Sequence, residues 1–259
     1  MAFKPSKIIT LTTDFGTSDG YVGSVKGVIL SINPKARPVD LSNEIPSFDI
    51  VVGAYHLGAS FSFFPKGTVH LAVVDPGVGS ARRPLLIVTK DYFLVGPDNG
   101  LFTLVVERDP PKAIYELTES RWFLSQISST FHGRDLFGSV AAHLTRGVPP
   151  QKMGKKLDSL KLLSDFSFQE TGDGWSGKIL FFDKFGNAFT NIHGLYPEAT
   201  SVLWREMEIP LYRTYSEIPK GQPGALFGGA GFLEIALRED SFRDRYGASR
   251  GEGILLKNR

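Results

Sequence analysis

Residues 68–84 read TVHLAVVDPGVGSARRP. Thr68–Val74 reads as a strand, and it runs straight into Asp75 and a glycine-rich loop. The glycines let the backbone approach a small ligand closely. The loop lacks the Gly-Lys-Ser/Thr ending of a phosphate-binding P-loop, and Pro76 with the missing third glycine excludes a dinucleotide fingerprint. Arg82, seven residues after Asp75, can fold back onto it. One of the pair Arg82 and Arg83 is expected to be a plain surface charge.

Outward from this stretch, strands and helices alternate. Ile8–Thr13 is a β-rich run ending at Asp14-Phe15-Gly16. Tyr21–Ile32 has helical spacing and stops at Asn33-Pro34. Pro38–Leu41 reads as a short strand. Ser47–Phe64 reads as a long buried helix, with Ser47 as N-cap and Asp49 in the first turn. Further strands are expected at Leu85–Thr89 and Tyr92–Val95, and a helix over Asp135–Thr145 closed by Gly147. The alternation predicts an α/β fold: an N-terminal α/β domain, residues 1–165, with a largely parallel central sheet. Asp14 and Asp75 then lie at carboxyl ends of strands, where open α/β sheets bind ligands.

From Gly174 the pattern changes to short alternating runs, among them Gly177–Asp183, Ala188–Ile192, Ser201–Trp204, Glu208–Tyr212 and Phe232–Leu237. This predicts a C-terminal antiparallel β-barrel domain over 174–259, with 166–173 as linker.

The composition narrows the function. The chain has 259 residues, a net charge of +2 and no cysteine. Thiolate catalysis, disulfides and cysteine-ligated metal are excluded. The small, dispersed charge gives no sign of a nucleic-acid partner, and the basic run Lys152–Lys161 reads as solvated surface. No apolar run reaches the length of a membrane span, and the N-terminus lacks a signal-peptide core, so a cytoplasmic protein is expected. His56, His70, His143 and His193 are scattered without metal-ligand spacing, so no metal is expected.

Three further stretches carry candidate chemistry. TTDFGTSDGY places Asp14 and Asp19 in one loop, where a carboxylate could accept two hydrogen bonds from vicinal hydroxyls or pair with an ammonium; ordinary turn chemistry explains them equally well. FHGRDLF presents His132 before a helix as a general base, an orienting group or a cap. DKFGNAFTNI offers Asp183, Phe185 and Asn187, a stacking face beside an amide that suits a purine edge, or simply a β-hairpin turning at Gly186-Asn187. Phe48 could stack on a base or belong to the core.

Five motifs in this order, TTDFG, VVDPGVGSARR, GPDNGLF, FHGRDLF and DKFGNAFTNI, resemble the S-adenosyl-L-methionine hydroxide adenosyltransferases, relatives of the fluorinating and chlorinating enzymes. The resemblance runs from about Ile8 to Ala236. It implies hydrolysis of S-adenosyl-L-methionine (SAM) to adenosine and L-methionine by in-line attack of water or hydroxide on C5′. It implies no cofactor and a homotrimer whose ligand sits between neighbouring subunits. Asp75, Arg82 and His132 match the set that handles the nucleophile, with Asp75 or His132 as proton acceptor and Arg82 fixing Asp75. Asp14 matches the ribose-binding carboxylate and Asp19 a contact to the methionine end. Asp183 matches the partner of the methionine ammonium and Asn187 an adenine contact, while Phe48 and Phe185 wall the nucleoside. Gly229 stands where relatives carry a serine that contacts the methionine carboxylate. The alternatives are a SAM- or adenosine-binding protein without turnover and a halide-using 5′-adenosyltransferase.

Overall fold

In the computed structural model, which describes residues 4–258, the chain forms two units, Met1–Leu163 and Ser164–Arg259. The first is built on strands β1 (Ile8–Thr13), β2 (Arg37–Ser42), β3 (Val69–Val73), β4 (Pro84–Val88), β5 (Phe93–Pro97), β6 (Ala113–Leu117) and β7 (Gly154–Leu157). Their order in the sheet is β2-β1-β3-β5-β4-β6-β7. Strands β2, β1, β3 and β5 pair in parallel. The joints from β5 through β4 and β6 to β7 are antiparallel. The parallel half is the one that presents strand ends to a ligand; the antiparallel half follows from the short β4–β5 connection, which leaves no room for a crossover helix.

Helix α1 (Tyr21–Ile32) buries Val22, Val25 and Ile29. These pack with Leu11, Leu71, Val73, Phe137 and Val140 in one core, where each fully buried aliphatic contributes about 1.5–3 kcal/mol. Helix α2 (Ile50–Ser60) starts later than the sequence predicts. Its N-cap is Asp49, whose side chain accepts the Val52 N–H at 3.1 Å, and not Ser47. Phe48 has φ 67°, a left-handed conformation that no helix can include. The far end also stops short, at Ser60, with a 3₁₀ turn over Phe61–Phe63.

After the short α3 (Thr103–Arg108), the chain reaches a wide π turn at Gly133–Gly138 that runs into α4 (Ser139–Thr145). The carbonyl of Asp135 accepts the N–H of Leu124 from outside the helix, at 2.9 Å. Gly147, at φ 94°, closes α4 as expected.

The second unit contains β8 (Gln169–Thr171), β9 (Gly174–Phe182), β10 (Ala188–His193), β11 (Ala199–Trp204), β12 (Met207–Pro210), β13 (Pro223–Phe227), β14 (Phe232–Leu237) and β15 (Gly253–Asn258), with the single-turn helix α5 (Phe242–Tyr246). The order is β12-β11-β15-β9-β10-β14-β13, with β8 on β9. All these pairs are antiparallel. Just past β12, Leu211 bridges Ala225 and the Tyr212 N–H donates to the Ala225 carbonyl at 2.8 Å. The sheet therefore nearly closes into a barrel, which removes its open edges. Ile179, Trp204, Ile235, Phe242 and Leu256 fill the interior. The stretch 166–173 holds the buried Phe166 and β8.

Candidate functional site

Asp14 follows β1 and Asp75 lies just beyond β3, neighbours in the parallel half of the sheet. The loop after β1 is tied to the loop after β2 by Asn43. Its Oδ1 accepts the Thr13 hydroxyl at 2.8 Å, and its carbonyl accepts the Gly16 N–H at 2.8 Å. Asp14 Oδ2 accepts the N–H of Phe48 at 2.9 Å, which holds that residue in its left-handed conformation. On the other side, Asn99 of the GPDNG stretch donates to the Val74 carbonyl at 2.8 Å, one residue before Asp75.

Between these loops lies a cavity of about 580 Å³, within the usual range for small-molecule sites. Asp14, Phe48, Asp75 and His132 line it. Phe15, Tyr21 and Phe131 add an edge-on aromatic cluster to the wall, with ring centroids 5.3–6.2 Å apart. Phe48 is 69% exposed, so it is a rim residue and not a core one.

Asp75, Arg82 and His132 form one hydrogen-bonded chain. Arg82 Nε lies 3.0 and 2.9 Å from the two carboxylate oxygens of Asp75 and one Arg82 Nη donates to Oδ2 at 2.6 Å. The same Nη reaches His132 Nδ1 at 2.8 Å. The pair is well shielded, with side chains 10% and 5% exposed for Arg82 and Asp75. Burial, and then the neighbouring guanidinium of Arg82, hold the His132 imidazole below its ordinary pKa, so the ring is neutral at pH 7. Arg83 is not a free surface charge as expected: it pairs with Asp98, which also accepts the N–H of Lys161 at 2.7 Å.

Loop 128–134 is fastened by Asp135, a fully buried carboxylate that accepts the Ser128 N–H at 2.7 Å and pairs with Arg134 at 2.5 Å. Asp19 is exposed and lies outside the residues that line this cavity.

The second unit has its own cavity, of about 740 Å³. Asp183, Phe185 and Asn187 line it together, in the hairpin between β9 and β10. Asp183 Oδ1 accepts the N–H groups of Phe185 and Asn187, each at 2.9 Å, and Oδ2 accepts the Asn187 amide at 3.0 Å. The hairpin and the candidate site are thus one structure, with Asp183 holding the turn. Gly186, at φ 80°, presses against Ser241, where a Cβ would overlap the serine hydroxyl. Phe185 is 64% exposed.

Sequence reasoning missed Tyr215, which lines this cavity and donates its hydroxyl to Glu234. Glu234 is 3% exposed, and burial raises its pKa. The alternation of β14 puts Glu234 on the face opposite the interior residues Leu233 and Ile235, where a charge reads as ordinary outer surface; its burial under Tyr215 is a tertiary contact that the pattern does not announce. At Gly229 nothing lies within 4 Å of where a Cβ would sit, so packing does not demand the glycine.

An α/β unit with a lined cavity at its strand ends, followed by a β-barrel unit with a second cavity, defines a small-molecule enzyme. The chain belongs to the SAM hydroxide adenosyltransferase family: the N-terminal domain model matches residues 9–154 and the C-terminal domain model residues 177–255. It is 38% identical over 253 residues to the (R)-S-adenosyl-L-methionine hydrolase of Thermus thermophilus, covering 94% of this chain and 97% of that protein. A more distant relative is a fluorinase from an Actinoplanes species, 26% identical, with 88% of this chain and 90% of that protein covered. Among solved structures, an uncharacterized conserved protein from Thermotoga maritima superposes with a TM-score of 0.86 at 32% identity, covering 95% of this chain and 98% of that one.

Proposed function

We propose that this protein hydrolyses S-adenosyl-L-methionine, the (R) sulfonium epimer in particular, to adenosine and L-methionine. The observation that carries this is the hydrogen-bonded chain Asp75–Arg82–His132, whose two ends, Asp75 and His132, line the same cavity as Asp14 and Phe48. The preference for one epimer comes from the name of the Thermus thermophilus relative.

The sulfonium needs no acid to leave, because methionine departs as a neutral thioether. The enzyme has to hold water, C5′ and sulfur in line, and near-ideal alignment contributes up to about 7–11 kcal/mol. Asp14 takes the ribose hydroxyls, with one oxygen already committed to Phe48 N–H. Phe48 and Phe185 wall the nucleoside, Asn187 reads adenine, and Asp183 meets the methionine ammonium. Asp19 joins the methionine end. No cofactor takes part; SAM is the substrate.

We also propose that the working form is a cytoplasmic homotrimer, in which the cavity of the first unit of one subunit faces that of the second unit of its neighbour. The exposed aromatics Phe48 and Phe185, one at each cavity, support this. Among the described residues no helix is long and apolar enough to cross a membrane. Light scattering is expected to give three times the chain mass, and a stable monomer with full activity would overturn the shared site.

The function is tested by incubating the protein with each SAM epimer in ¹⁸O-water. The (R) epimer is expected to give adenosine labelled at the 5′ hydroxyl. Unchanged SAM recovered from a complex would make this a binding protein, and chloride-dependent formation of 5′-chloro-5′-deoxyadenosine would make it a halide transferase.

A further inference from the structure

Arginine has five N–H donors and no acceptor, and it stays protonated. The 2.8 Å contact between Arg82 Nη and His132 Nδ1 therefore has one possible polarity: Arg82 donates and Nδ1 accepts. A neutral imidazole whose Nδ1 is an acceptor carries its proton on Nε2. Among the described residues Nε2 has no hydrogen-bond partner, while the ring itself lines the cavity.

We propose that His132 acts on the nucleophile as a hydrogen-bond donor through Nε2–H, and that it is not the general base. This rests on the hydrolase reading above and deepens it. The arrangement inverts the logic of a Ser-His-Asp triad. There a carboxylate accepts Nδ1–H, so Nε2 is left as a base. Here a guanidinium donates to Nδ1, so Nε2 is left as a donor. Asp75 sets the polarity by pinning Arg82 through both carboxylate oxygens. An imidazolium would turn an Nδ1–H against an Arg82 N–H, so the chain also disfavours protonation of the ring. Burial and the Arg82 charge act in the same direction, against the weaker opposing pull of Asp75 and Asp135.

In the reaction, Nε2–H engages one lone pair of the water and leaves the other for C5′. The C5′–O bond forms as the C5′–S bond breaks, and the pair of electrons stays on sulfur. The oxonium so formed passes its proton to solvent water, giving adenosine, methionine and one proton in solution. A strong base within the site is not required, because the oxonium is a far stronger acid than water.

Two measurements test this. Long-range ¹H–¹⁵N spectra of histidine-labelled protein, assigned with the His132→Gln variant, are expected to show a neutral His132 ring with its proton on Nε2. A proton on Nδ1, or an imidazolium at pH 7, would overturn the proposal. This readout does not depend on turnover, so a chain that bound SAM without cleaving it would sink the hydrolase reading and leave the tautomer decided. Second, glutamine places an amide N–H near the Nε2 position and has no basicity, whereas leucine offers neither. His132→Leu is expected to lose on the order of a hundredfold in kcat, the cost of leaving the nucleophilic water unoriented, and His132→Gln to recover at least about tenfold of that. A glutamine variant as slow as the leucine one, with SAM bound as tightly as in the wild type, would assign the basic role to His132 instead.

Discussion

Arg82→Leu is expected to cost about 3–5 kcal/mol of stability, the usual result of breaking a buried pair from one side. Asp75, 5% exposed, would be left as a charge without its three guanidinium contacts. Adenosine release should fall by about 10²-fold or more, since the contact that orients His132 goes with it. Arg82→Lys separates the two effects. A lysine restores the positive charge beside Asp75 but is a point donor that cannot span both Asp75 and His132. It should regain most of the stability and little of the turnover. Chemical denaturation measured alongside kcat decides the matter, and a leucine variant as stable and as fast as the wild type would refute the assigned role of the chain.

The second large effect concerns acid stability and a residue far from the chemistry. His70 is the second residue of β3, fully buried among the rings of Phe61, Phe64 and Tyr92. Its Nδ1 meets the Thr10 hydroxyl at 2.8 Å, and its Nε2 has no partner among the described residues. Burial lowers its pKa from 6.5 to about 3. Above pH 6.5 neither the folded nor the unfolded chain protonates this ring, so it has no effect on stability. Between 6.5 and 3 the unfolded chain takes up a proton that the folded chain refuses, and stability falls by about 1.4 kcal/mol per pH unit. Below pH 3 both states are charged and the slope vanishes. Other histidines and the carboxylates add their own slopes, so the comparison that counts is with His70→Gln, which does not titrate. Its unfolding free energy should gain on the wild type by about 2 kcal/mol between pH 6.5 and 4.5. Parallel curves over that range would mean that the ring charges in place.

Both effects turn on residues whose surroundings the sequence conceals to different degrees. The strands at Ile8–Thr13 and Thr68–Val74 are legible because apolar and β-branched residues run unbroken into Asp14 and Asp75. The parallel half of the first sheet follows from them. Strands β6 and β7 are not legible: Gly154–Leu157 carries two lysines and looks like solvated surface, yet it pairs as an edge strand with both lysines exposed, one on each face. Asp49 displaced Ser47 as the helix cap because of a backbone angle at Phe48 that no residue pattern announces. The chain through Asp75, Arg82 and His132 was legible as three polar residues in glycine-rich loops; its polarity needed the contact between two specific nitrogens. Asn43 and Asn99, which anchor the loops behind Asp14 and Asp75, look like any loop asparagines until their long-range partners are known.

The left-handed Phe48 also sets a limit on how durable this protein can become. A non-glycine residue at φ 67° stores on the order of 1 kcal/mol or more, and the loop is held there by the N–H bond to Asp14. Glycine would relax the backbone and erase the aromatic rim; a β-branched residue would keep an apolar surface and worsen the strain. Selection for heat resistance and selection for ligand capture therefore pull this one position in opposite directions, and a thermostable descendant would have to find its extra stability elsewhere in the fold.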